Sequence, residues 1–89
     1  MRAVVSVIGK DMVGILAKVA GECASCGANI VDVTQTVLQD LFVMIMLVEL
    51  GHTEDSFSEL RKKMSLIEGE MGLSIHVMHE DIFNSMHKI

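Results

Sequence analysis

The chain of 89 residues contains no tryptophan or tyrosine and only three phenylalanines. Proteins that stack on nucleic-acid bases need aromatic rings, and proteins that bind the phosphate backbone need a concentrated basic face. The seven lysines and arginines are scattered instead, and the formal net charge is −5. We therefore expect no direct binding of nucleic acid.

Cysteine is also scarce. Cys23 and Cys26 are the only two, which is too few for a disulfide framework. Their spacing is that of some redox and metal sites, but the pair lies late in a helical pattern, on or near its apolar stripe. We expect reduced, packed thiols, and a redox or metal role is the alternative.

Long apolar runs are absent as well. The longest, Leu41 to Val48, is far below the roughly 20 residues of a membrane-spanning helix, and no export signal is recognisable. A single domain in the cytoplasm, without membrane contact, is therefore predicted. However, 51% of the residues are hydrophobic and the mean hydropathy is +0.48. So much apolar surface exceeds what one small core buries.

The stretch from Val7 to Ile15 joins a strand pattern to a helix pattern. The alternating, β-branched residues before Gly9 predict a strand. Gly9 and Lys10 then turn the chain, and Asp11 is a favourable N-cap for a helix that stops at Gly27. A helix that starts directly after such a loop presents unpaired N–H groups, which bind anions and polar ligands.

A hairpin of two strands is predicted next. In the stretch 29–38, Val31, Val33 and Val37 alternate with Asp32 and two threonines, which indicates a strand with one polar face. A polar break at residues 39–40 separates it from a third strand that is apolar on both sides. Both faces of that third strand are therefore expected to be buried.

A second helix is predicted from a cap at Thr53 to a stop at Gly72, because apolar residues recur there at steps of three and four. Alternation resumes over 73–78 as a fourth strand, and residues 80–89 form a short helical tail. The apolar stripe of the second helix comprises Phe57, Leu60, Met64, Ile67 and Met71.

Two histidines near the end of the fourth strand have the spacing H-x-x-H. Imidazoles are common ligands of zinc and nickel. Residues three apart in a strand point to opposite faces, however, so one site containing His76 and His79 would have to break the pattern or be completed between subunits.

The order strand, helix, strand, strand, helix, strand is that of an α+β ferredoxin-like fold, a four-stranded antiparallel sheet with both helices on one face and a short helical tail. The third strand nevertheless has apolar side chains on both faces. Burying the row of apolar side chains on the face without helices would stabilise an associated state by several kcal/mol, at roughly 25 cal/mol per Å² of apolar area. We therefore predict a homodimer or higher homo-oligomer, formed through the open face, a sheet edge, or both.

Two motifs and this order of elements resemble the ACT domain. The motifs are Val-x-Gly-x-Asp-x-x-Gly-Ile, from Val7 to Ile15, and Cys-Gly-Ala-Asn-Ile, from Cys26 to Ile30. The chain is similar to the small stand-alone ACT proteins of bacteria and archaea, which are themselves similar to the ACT repeats of the glycine cleavage system transcriptional repressor. The resemblance implies that residues 1–80 form an ACT-like domain and that residues 81–89 are its C-terminal helical extension.

The resemblance implies a regulatory, non-catalytic module that binds an amino acid or similar small ligand where two domains meet. The residues that it implicates come from the loop, the helix start and the beginning of strand two: Gly9, Lys10, Asp11, Gly14, Ile15, Asn29 and Ile30. Several also have a structural explanation. The glycines permit a turn and a close approach, Asp11 can cap the helix, and Asn29 can satisfy backbone groups where the strand begins.

The sequence contains no recognisable catalytic triad, pair of pocket carboxylates or phosphate loop, so we predict neither catalysis nor a cofactor. The leading hypothesis is a sensor whose small-molecule ligand changes its association with a separate effector protein. A ligand-free interaction module is one alternative. A metal-responsive module that uses His76 and His79 is the other.

Overall fold

The computed structural model describes residues 1–10, 14–51 and 54–86. One antiparallel sheet contains four strands in the order β2-β3-β1-β4. None of the helices in the described parts of the chain is long and apolar enough to cross a membrane. The predicted ferredoxin-like order is confirmed. The elements are β1 (Arg2–Gly9), α1 (Ile15–Ser25), β2 (Asn29–Leu38), β3 (Leu41–Glu49), α2 (Glu54–Met71), β4 (Ser74–His79) and α3 (Glu80–Met86).

The core lies between one face of the sheet and the two longer helices. Alternate residues of β1 and β3 point towards α1 and α2, as the period of two along a strand requires. The predicted stripe of α2 is buried except for Met71. The buried side chains of these four elements that form this core are Ala3, Val5, Val7, Ile15, Val19, Cys23, Phe42, Met44, Met46, Val48, Phe57, Leu60, Met64 and Ile67.

The second face of β3 is only partly covered, so the prediction that both its faces are buried is wrong for the single chain. Leu41 is 39% exposed and Ile45 is 37% exposed. The short helix α3 crosses this face beside Val4 and Leu47 and leaves the rest uncovered. The Arg2 guanidinium helps to hold α3 in place because it pairs with the carboxylate of its first residue at 3.4 Å.

Strand β2 forms an edge of the sheet, and every residue in it except Val33 is exposed. An irregularity between Ile30 and Asp32 inserts one extra residue, Val31, relative to β3. This bulge changes which side chains share a face. Ile30 stands beside Val48 on the helix side, where Val33 and Val37 pair with Met46 and Phe42.

Helix α1 begins at Ile15, with Gly14 as the N-cap residue at φ +76°. This start is later than the predicted one, and the predicted cap, Asp11, lies outside the described residues.

Helix α2 ends where the sequence predicts. Its predicted cap, Thr53, lies outside the described residues, but Gly72 follows the last helical residue with φ +66°, which confirms the predicted stop. Glycine adopts this left-handed conformation without steric cost and so ends helices readily.

Candidate functional site

The end of β1 and the start of α1 meet at Gly9, where the candidate loop begins. Gly9 pairs with Phe42 of β3, and a Cβ atom added to Gly9 would collide with the Leu73 side chain. The same atom would lie 3.8 Å from Cδ1 of Ile15. Close packing therefore accounts for this glycine without any ligand. Lys10 follows it and is exposed.

The first turn of α1 has the features of an anion-binding helix start. Gly14 has no side chain to cap the helix, and its carbonyl accepts the Lys18 N–H at 2.9 Å. Among the described residues no acidic side chain occupies the first turn, and the N-terminal end of a helix carries the positive end of its dipole. The Ile15 side chain is buried in the core. Only its backbone can therefore serve a ligand, as the family resemblance implies.

Asn29 and Ile30 lie at the opposite end of the sheet from this loop. Asn29 pairs with Glu49, which pairs with Arg2 at the beginning of β1. Gly9 is at the other end of β1, about 24 Å away along the strand. Within one chain the structure therefore brings Gly9, Lys10, Gly14 and Ile15 together and keeps Asn29 and Ile30 apart from them. Asp11 is outside the described residues.

The two cysteines have the environment of packed thiols. Cys23 is buried in the core, and desolvation, with smaller contributions from Cys26 and Glu22, raises its pKa to about 11. Burial also raises the pKa of Cys26. Both groups are therefore protonated at neutral pH, which makes them weak nucleophiles and metal ligands.

His76 and His79 point to opposite faces of β4. His76 pairs with Ser6, whereas His79 pairs with Ala3 on the helix side and stacks on the Phe57 ring, with the ring centres 4.1 Å apart. Among the described residues no group of three or more His, Cys, Asp and Glu side chains is arranged to hold a metal ion. The pair does not form one site within a chain.

The sequence analysis gave Arg61 no role because Arg61 lies outside the apolar stripe of the second helix, and the residue is exposed. In the structure the Arg61 guanidinium lies 5.8 Å from the centre of the Phe57 ring and lines the hollow between α2 and β4. The spacing of four residues between Phe57 and Arg61 places both on one side of a helix, and that spacing was the available signal.

Comparison with known proteins gives a consistent result. The family model of the ACT domain matches residues 2–78. UPF0237 protein MK1213 of Methanopyrus kandleri is 44% identical over 88 residues, covering 99% of this chain and 98% of that protein. UPF0237 protein lin0537 of Listeria innocua is 42% identical over 89 residues, covering 100% of both.

Solved structures resemble the chain over most of its length. An ACT domain protein from Streptococcus pneumoniae superposes with a TM-score of 0.82 at 36% identity, covering 93% of each chain. The regulatory subunit of aspartate kinase from Thermus thermophilus superposes with a TM-score of 0.68 at 24% identity, covering 86% of this chain and 50% of that one. The second likeness is one of fold.

Proposed function

The chain belongs to the ACT domain family of regulatory, non-catalytic modules that bind small ligands, and on that premise we propose that two copies associate and bind an amino acid between them. The ligand changes the association of this cytoplasmic dimer with a separate effector protein. The observation that carries the proposal is the exposed edge strand β2, whose first residues belong to the candidate site and lie far from its loop.

Strand β2 is well suited to pairing with its own copy. It has ten residues and no proline, lysine or arginine, whereas many natural edge strands are kept from pairing by short length, proline or lysine. The bulge at Val31, which also hinders pairing, lies near one end of the strand and leaves residues 32–38 regular. A two-fold axis through Thr34 would align the faces of the two strands, with Val33 opposite Gln35 and Asp32 opposite Thr36. Beyond the bulge, this register sets Asn29 of one copy opposite Leu38 of the other.

This pairing brings the two halves of the candidate site to the same end of a continuous sheet. Leu38 and Gly9 lie at that end within one chain, because their strands are joined through Leu41 and Phe42 of β3. Ile15, the first residue of α1, lies beside Gly9, so the first turn of the helix is at the same end of the sheet as Leu38. The partner's Asn29 then lies three strand spacings, about 14 Å, from β1.

The chemistry of this end fits a zwitterion. The N-terminus of α1, whose first turn has no acidic residue, binds the carboxylate. A helix N-terminus stabilises a negative charge by about 0.3–1 kcal/mol. The exposed Lys10 adds positive charge on the same side. Alternation from Ile30, which faces the helices, directs the Asn29 side chain to the other face of the sheet. Because Asn29 is the first residue of β2, the amide oxygen of the partner's Asn29 reaches the ligand's ammonium group around the end of the sheet. Neither half holds both ends of the ligand alone.

A thermal-shift screen of the twenty amino acids tests the ligand. A ligand at about ten times its Kd stabilises by about 1.4 kcal/mol and raises the Tm of a chain of this size by roughly 6–11 °C. We expect Asn29→Ala to remove most of this shift, because it removes the ammonium contact.

The matched control is Asn84→Ala, which truncates an exposed asparagine on α3, on the opposite side of the sheet from α1. It should leave the ligand-dependent shift unchanged. If no amino acid raises the Tm at millimolar concentration while the dimer persists, the result favours the ligand-free interaction module. If Asn29→Ala retains the shift, the assigned contact is wrong.

Substitutions on β2 test the two-fold register. Thr34→Lys sets two lysines directly opposite each other on the axis and is expected to weaken the dimer by on the order of 1 kcal/mol, about fivefold in Kd. Thr36→Lys introduces the same charge but faces the partner's Asp32, so it should leave the dimer equally tight or tighter. Sedimentation equilibrium over a concentration series distinguishes the two. A reversed order would refute the register.

A further inference from the structure

Strand β4 is the second edge of the sheet, and its outer backbone groups are only partly satisfied. The Ile75 N–H donates to Oε2 of Glu68 at 2.7 Å. Because backbone groups alternate sides along a strand, Ile75, Val77 and His79 all direct their N–H groups away from β1. Within the described parts of the chain, no hydrogen bond satisfies the N–H and C=O of Val77 or the N–H of His79.

Helix α2 runs beside this edge and forms the other wall of a groove. Phe57, Arg61, Ser65 and Glu68 line it at steps of three and four along the helix. Two adjoining hollows, of about 230 and 340 Å³, share Arg61 and Val77. A groove between a helix and an open strand edge has the shape that accepts an extended segment as an added strand.

The charge along the groove is uneven. Arg61 lies near the middle and makes no ion pair with any described residue. His79 lies next to it, stacked on Phe57. The Glu68 carboxylate lies at one end, and the two acidic residues that open α3 lie beside His79 at the other. A ligand that matches this pattern has one negative charge at its centre and none at its ends.

A second copy of this chain does not match that pattern. Antiparallel pairing of β4 with β4 of another copy around Val77 would bring two Arg61 guanidinium groups together, and like charges that face each other are destabilising. The two edges of the sheet therefore differ in kind. The edge at β2 has no basic residue, whereas the edge at β4 has a central cation that lacks a carboxylate among the described residues.

We propose that the groove between β4 and α2 binds an extended segment of a partner protein, with one central Asp or Glu and uncharged or basic flanks. The segment pairs with the outer backbone groups of Val77 and His79, and its carboxylate pairs with Arg61. This assignment rests on the proposed function only in that the output passes to another protein. The groove and the candidate ligand site have no residue in common.

Selection of phage-displayed random peptides on the full-length chain tests this assignment. We expect the selected sequences to be β-branched with a single central Asp or Glu, and the bound peptide to protect the Val77 and His79 amides from hydrogen exchange. In fluorescence anisotropy titrations, Arg61→Glu is expected to raise the Kd for the selected peptide about tenfold or more. The same variant should bind a peptide whose acidic residue is replaced by lysine more tightly than it binds the selected peptide.

The matched control is Lys62→Glu, which makes the same change in charge at the next position of α2. Lys62 is exposed and does not line the groove, so this variant should bind the peptide within about twofold of the unmodified chain. Failure to select a peptide, equal loss in both variants, or amide protection confined to β2 would overturn the assignment. If peptides bind but no amino acid raises the Tm, the ligand site fails and the groove stands.

Discussion

Met46→Ala is expected to lower the free energy of unfolding by about 2–5 kcal/mol, the range observed when a large apolar side chain is removed from a packed core. Met46 is fully buried in β3 between β1 and β2, on the face that α1 and α2 cover. A chain of 89 residues has a total stability of only about 4–13 kcal/mol. Urea denaturation followed by circular dichroism would measure this loss directly.

The adjacent residue is the control. Ile45 points to the other face of β3 and is 37% exposed, so Ile45→Ala should cost less than about 1.5 kcal/mol where the chain is monomeric. An equal cost for the two substitutions in dilute monomer would show that both faces of β3 are buried, against the structure. A cost for Ile45→Ala that grows with protein concentration would instead indicate that the open face is covered in an oligomer.

The outcome at β3 shows how far the sequence predicts the core. An unbroken apolar run between polar turns identifies the strand, and the alternating positions identify two candidate rows. The apolar run does not indicate which of the two rows is covered, because the cover depends on where the helices pack. Helix α3 covers Val4 and leaves Leu41 and Ile45 partly exposed. The apolar residues of α3 do not indicate which face of the sheet the helix crosses.

The beginning of β2 was less predictable for a different reason. Val31 has the same β-branched side chain type as Ile30 and Val33, so nothing local marks it as the extra residue of a bulge. The separation of Asn29 from Gly9, in contrast, follows from the strand order alone. Strand β2 begins at the end of the sheet where β1 also begins, whereas the loop follows the end of β1.

Gly9→Ala is expected to destabilise the fold by about 1–3 kcal/mol through overpacking. The added methyl group would collide with the Leu73 side chain, which is itself buried. The φ angle of Gly9 is not positive, so the cost arises from this collision and not from backbone strain. Gly21→Ala is the control, because space is open at that position of α1. It should stabilise by about 0.5–1 kcal/mol.

A double-mutant cycle with Leu73→Ala separates packing from ligand binding at Gly9. Leu73→Ala removes the side chain that the new methyl group meets, so the two costs should be less than additive by about 1 kcal/mol or more. Additive costs would mean that Leu73 is not the cause. Strong coupling would show that the fold requires glycine here with no ligand present. A loss of amino-acid binding in Gly9→Ala would then reflect a displaced loop, and Asn29 would remain the position at which ligand contact is tested cleanly.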